Sequence, residues 1–192
     1  MNGSKKADSV EQVVAQWRAE RPDLNPWPSA VAARILRLAT HLRRQGERSL
    51  ESLGLSWESF EMLAALLRSG PPYALNPTTL YRSMLLTSGA MTNRLDKAEE
   101  AGLVRRASDP TDRRATLVQL TPVGRVIANE AIELYFRDIG AALGALSAKD
   151  RGQLAALLSS ALLGMENSAR ARESNVPLPA RRSPRRPATS RT

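Results

Sequence analysis

The stretch whose reading decides the fold begins Thr87-Ser88-Gly89-Ala90-Met91-Thr92-Asn93-Arg94-Leu95-Asp96-Lys97-Ala98-Glu99-Glu100-Ala101-Gly102-Leu103-Val104-Arg105-Arg106. It continues Asp109-Pro110-Thr111-Asp112-Arg113-Arg114 and closes on Thr116-Leu117-Val118-Gln119-Leu120. Met91, Leu95 and Ala98 recur on one helical face, so a helix is expected over residues 88–101, capped by Thr87 and ended by Gly102. Leu103-Val104-Arg105-Arg106 and Thr116-Leu117-Val118-Gln119-Leu120 read as short strands, the second strictly alternating. The Asp109-Pro110-Thr111-Asp112 turn joins them into a hairpin.

Working upstream, residues 57–69 read as a helix with Phe60, Leu63, Ala64 and Leu67 inward. Ser69-Gly70-Pro71-Pro72 ends it, and Asn76 followed by Pro77 starts a short helix with proline at its first position. Two helices joined by a tight turn and followed by a hairpin make a winged helix-turn-helix.

The flanks are helical too. Val10, Val13, Val14 and Trp17 share a face in residues 9–20, with Ser9 as cap, and Pro22, Pro26 and Pro28 then break the chain. Val31, Ile35, Leu38 and Leu42 mark an amphipathic helix over residues 29–48. Thr121 caps a long helix that opens on Pro122 and runs to about Leu146, and Ser147 caps a last one over residues 148–165. These faces are too apolar for so small a domain to bury alone. The expected fold is mainly α with a small β-hairpin: a DNA-binding lobe (55–121) and a helical dimerisation lobe (9–48 and 122–165) within one domain over 9–165. Residues 1–8 and the Arg- and Pro-rich tail 166–192 are expected to be disordered.

Charge locates the partner. The net charge is +9, but residues 168–192 hold seven arginines against one acid, leaving 21 basic and 18 acidic residues elsewhere. The folded part is only mildly basic, so selective binding must rest on where its charges sit. The tail suits salt-dependent, sequence-independent affinity for a polyanion. The chain has no cysteine, and its one histidine, His41, stands beside Arg43 and Arg44 on a helix. Disulfides, thiolate metal sites and a His-rich metal cluster are thereby excluded. No cofactor is expected. No nucleophile-with-base pattern stands out, and the expectation is a protein that is not an enzyme. The charged opening Met1-Asn2-Gly3-Ser4-Lys5-Lys6 is unlike a secretory signal, and a cytoplasmic location is expected.

On the helix 88–101 the outward residues are Ser88, Gly89, Thr92, Asn93 and Lys97, small or polar as entry to a major groove requires. Arg113 and Arg114 sit at the hairpin tip, where a guanidinium fits the electronegative minor groove, with Asp112 placed to orient it.

Residues 94–104, Asp109-Pro110-Thr111-Asp112-Arg113-Arg114 and Val118-Gln119-Leu120-Thr121-Pro122-Val123-Gly124 together resemble the MarR family of bacterial regulators, over roughly residues 30–165. The resemblance implies a homodimer formed by the terminal helices. It also implies two recognition helices in successive major grooves of a pseudopalindromic operator, and a repressor. Gln16-Trp17-Arg18-Ala19-Glu20-Arg21-Pro22-Asp23-Leu24 and Pro72-Tyr73-Ala74-Leu75-Asn76-Pro77 resemble the PecS-like, urate-responsive branch. That branch implies a site for a small anionic or aromatic ligand such as urate, at Trp17, Glu61 and Arg94, with Glu61 standing where the branch has Asp. Structural roles compete with this reading. Trp17 would anchor the first helix, and Glu61 with Arg94 would be an ion pair. The competing function is a ligand-independent architectural DNA-binding protein.

Overall fold

The computed structural model describes residues 7–84, 91–110, 112 and 115–174. The chain divides into two compact units, Met1–Gly144 and Ala145–Thr192.

The first unit opens with α1 (Glu11–Glu20) and α2 (Trp27–Leu50). Ser9 does not cap α1; the Asp8 carboxylate just ahead of the helix accepts from the backbone N–H of Val10 at 2.8 Å and of Glu11 at 3.1 Å. The same carboxylate takes Arg34 of α2 at 2.7 Å, so Asp8 belongs to the ordered domain rather than to a loose end. A 3₁₀ turn (Glu51–Leu53) leads to α3 (Trp57–Arg68), whose cap Ser56 accepts from Ser59 N–H. Asn76 likewise accepts from Thr79 N–H, and Pro77 begins α4 (Pro77–Ser83).

Helix α5 (Met91–Glu100) ends in a Schellman turn. Gly102 takes φ +68°, its N–H donates to Glu99 and the Leu103 N–H donates to Ala98. Strands β2 (Val104–Ser108) and β3 (Thr116–Leu120) pair antiparallel with Arg106 opposite Val118. The expected two-stranded hairpin is in fact the larger part of a three-stranded sheet. Ala74 and Leu75 form β1, which pairs with β3 and gives the order β1-β3-β2. So short a strand carries no alternation to read.

Helix α6 (Pro122–Ala142) closes the first unit, ending short of the expected Leu146. One apolar core joins Met62, Leu63 and Leu66 of α3 to Leu80, Leu95, Ala98, Val104, Val118 and Ala128. Each large member is worth about 1.5–3 kcal/mol of burial. A second cluster sets Phe60 and Ala64 against Leu50 and Ala131, with Trp57 and Tyr135 at its edge. Val31, Ile35 and Leu38 of α2 remain outside both clusters, at 50%, 40% and 37% exposure.

The second unit is α7 (Ala148–Ser174), capped by Ser147, which accepts from Asp150 N–H at 3.2 Å. The helix continues nine residues past the expected Met165, through sequence rich in Ala, Arg and Glu with no proline or glycine to stop it. Leu157, Leu162, Leu163 and Met165 are exposed on it.

Candidate nucleic-acid interface and adjoining cavity

Helix α5 is held by its inner face. Leu95 and Ala98 are buried in the main core, while Asn93 and Lys97 are exposed on the other side. Thr92 lies on α5 between Met91 and Asn93. Ser88, Gly89, Arg113 and Arg114 lie outside the described residues. The base of the wing is closed by the backbone bond from Asp109 N–H to the Ala115 carbonyl at 3.1 Å. From Ala115 N–H a second bond runs to Asp112, 2.9 Å long.

Two bridges fix the wing to its surroundings. Arg105 donates to Gln119 Oε1 at 2.8 Å, and Gln119 Nε2 donates to the Pro72 carbonyl at 2.9 Å. Arg106 reaches back to α5, donating to Asp96 Oδ1 at 2.5 Å and to Glu99.

Behind α5 a network of charges runs along α3. Glu58 Oε1 accepts from Arg43 of α2 at 2.7 Å and lies 3.8 Å from Arg94 Nη2. Burial works against the Glu58 carboxylate, but its own backbone N–H, the Arg43 hydrogen bond and the charges of Arg94 and Arg43 outweigh it. Its pKa falls below the usual glutamate range. The Nη1 of Arg94 is buried and finds no hydrogen-bond partner among the described residues.

One turn further on, Glu61 faces a cavity of about 330 Å³ lined by Trp57, Phe60, Arg68, Tyr135 and Phe136. Burial raises the Glu61 pKa above the usual range, against the opposing pull of the Trp57 indole and of Arg43. The aromatic walls are interlocked. Trp57 and Tyr135 meet edge to face at 5.7 Å, Phe60 and Tyr135 pack tilted at 5.0 Å, and the Arg43 guanidinium lies 5.7 Å over Trp57. Trp57 can lie there because residue 46 is glycine; a Cβ on Gly46 would stand 2.2 Å from the indole Cζ3.

A family model described as the MarR family matches residues 53–115, which span α3 to the wing. The HTH-type transcriptional regulator PecS of Dickeya dadantii is 34% identical over 149 residues, covering 78% of this chain and 90% of the relative. The chain belongs to the MarR family. Among solved structures, the MarR-family regulator AbsC of Streptomyces coelicolor superposes with a TM-score of 0.67 at 19% identity, covering 75% of this chain and 97% of that one. A mutant MarR from E. coli, solved in complex with operator DNA, superposes with a TM-score of 0.60 at 22% identity, covering 81% and 99%. These likenesses establish the fold as that of the MarR winged helix.

Within this MarR-family chain Trp17 stands at a different cleft from Glu61, while the Arg94 charge acts on the Glu61 carboxylate. Trp17 is 49% exposed and lines a separate cleft with Arg21, Leu24 and Pro26. The direct ion pair of Arg94 is with Glu58, which sits a turn before Glu61 on the same face of α3, and its charge reaches Glu61 as well. Glu61 alone of the three lines the aromatic cavity beside Trp57 and Tyr135. Sequence reasoning missed Glu58, Arg43, Trp57 and Tyr135. The spacing of Trp57, Glu61 and Ala64 on α3 was the available signal; Tyr135 reads as one more core residue of a long helix.

Proposed function

We propose that this MarR-family regulator binds a pseudopalindromic duplex operator as a homodimer and represses transcription from it. The observation that carries this reading is the division of α5 into a buried Leu95–Ala98 face and an exposed face bearing Asn93 and Lys97, directly beside the wing. Ser88, Gly89, Thr92, Asn93 and Lys97 enter the major groove, with Asn93 suited to an adenine edge. Arg113 and Arg114 enter the flanking minor groove. The exposed apolar residues of α2 and α7 support a second copy as their cover.

The cavity beside Glu61 is the effector site in this reading. Its volume and aromatic walls suit a planar ring such as urate or a related purine, and Arg68 supplies the charge for an anionic edge. The ligand acts by favouring a form in which Glu58, itself gripped by Arg43, no longer pairs with Arg94 of α5 as it does here. It relieves repression only if it binds that form more tightly than the DNA-bound one.

Selection from a random-duplex library, followed by footprinting of the preferred duplex, tests the DNA reading. A protected pseudopalindrome with half-sites about one helical turn apart is expected. Urate titrated into that complex should release the duplex at sub-millimolar concentration. Release by no purine, with DNA binding intact, would leave a ligand-independent DNA-binding protein.

A further inference from the structure

Arg106 stands on β2, yet its hydrogen bonds go to α5. Its Nη2 donates to Asp96 Oδ1 at 2.5 Å, its Nη1 donates to Glu99 Oε2, and its backbone N–H donates to the other Glu99 oxygen at 3.0 Å. Asp96 and Glu99 are three residues apart, so both carboxylates lie on the helix face turned towards the wing. One residue of the sheet thereby grips two points along α5. A planar guanidinium can fork between two carboxylates in a fixed geometry; an ammonium cannot. The preceding residue, Arg105, points to the opposite face of the strand and spends its donors on Gln119, so the two arginines are not interchangeable.

The charge on α5 adds a second reason for the grip. The helix carries Asp96, Glu99 and Glu100 against Arg94 and Lys97. Free carboxylates beside phosphates are repelled, and Arg106 neutralises two of these three.

We propose that Arg106 is a positioning residue for DNA recognition. It sets the angle between α5 and the wing, so that both reach their grooves of one duplex together, without itself contacting a base. This inference rests on the DNA-binding reading above. The pairs are about half exposed, at 43% for Arg106, 46% for Asp96 and 34% for Glu99, so they add little to stability and their variants should fold.

The test uses the full chain, the duplex that wild-type protein selects from a random library, and a random duplex of equal length. The readout is the ratio of the two affinities. Arg106→Gln is expected to lower the ratio by about tenfold, with the melting temperature nearly unchanged. Arg106→Lys keeps the charge but not the fork, and its ratio should stay low. Asp96→Ala with Glu99→Ala should raise affinity for the random duplex, by removing repulsion, while lowering the ratio. A double variant that gains affinity for both duplexes in parallel, or full recovery of the ratio in Arg106→Lys, would overturn the proposal in favour of charge masking or direct phosphate contact. A wild-type chain with no preferred duplex would overturn the DNA-binding reading and this inference with it. Unchanged variant ratios on a duplex that is preferred would overturn the inference alone.

Discussion

Gly124 of α6 presses so closely on Leu103 that a Cβ at residue 124 would fall 1.8 Å from the Leu103 carbonyl oxygen. The contact explains the Leu120-Thr121-Pro122-Val123-Gly124 pattern in physical terms. Thr121 Oγ1 accepts from Gly124 N–H at 2.9 Å and donates to the Gly102 carbonyl at 2.6 Å, while Thr121 N–H donates to Leu103 at 3.1 Å. The start of α6 is thus stitched to the end of α5, and only a residue without a side chain fits the join. Gly124→Ala is expected to destabilise the protein by about 1–3 kcal/mol through overpacking against backbone, read by urea unfolding. An unchanged midpoint would mean that the join is looser than described.

Glu58 and Glu61 should respond to pH with opposite signs. The folded-state pKa of Glu58 lies below the ordinary value of 4.5, so its contribution is present above 4.5 and is lost as pH falls through the lowered value. Glu58→Gln leaves Arg94 and Arg43 without that partner and should cost about 1–3 kcal/mol at neutral pH. The melting-temperature difference from wild type should shrink in strong acid. A difference independent of pH would contradict the assigned ion pairs.

Glu61 behaves the other way. Its folded pKa is raised above 4.5, chiefly by burial, so its charged form is the destabilised one. Its favourable contribution is full below 4.5 and is lost as pH rises through the raised value. Glu61→Gln should therefore raise the melting temperature above that pH and not below it. The same variant should bind an anionic purine more tightly at pH 8 and flatten the pH dependence of binding. Calorimetry on both proteins from pH 4.5 upwards checks this; wild-type binding that tightens as pH rises would exclude an anion beside Glu61.

The α2 face should matter for assembly. Ile35→Glu with Leu38→Glu puts two carboxylates on the face left exposed in the protomer. Sedimentation equilibrium should show the proposed homodimer lost at micromolar concentration. A variant that remains a dimer would place the interface elsewhere.

Strong local signals made most of the fold legible. Asn76 and Thr121 each lie where a polar side chain precedes an apolar helical pattern, and Gly102 follows the last residue of one. The failures are equally physical. Strand β1 has two residues and owes its existence to pairing with β3, a contact far away in sequence. The end of α7 lacks apolar periodicity but keeps helix-forming residues, which sufficed. Glu58 and Glu61 are both acids on α3, and sequence spacing could not decide which meets Arg94; the packing of α5 against the start of α3 decides it. Trp17 carries the ligand resemblance, yet its surroundings in one protomer are Arg21, Leu24 and prolines, which no pattern on α1 foretells.

The most direct test of the central claim is the affinity of Asn93→Ala, and of Arg113→Ala with Arg114→Ala, for the preferred and the random duplex across a salt series. Asn93→Ala should lose about 1–3 kcal/mol on the preferred duplex and almost nothing on the random one. The double arginine variant should weaken both and make the salt dependence shallower. Selectivity and salt dependence unchanged in both variants would contradict the account, because neither α5 nor the wing would then be reading DNA.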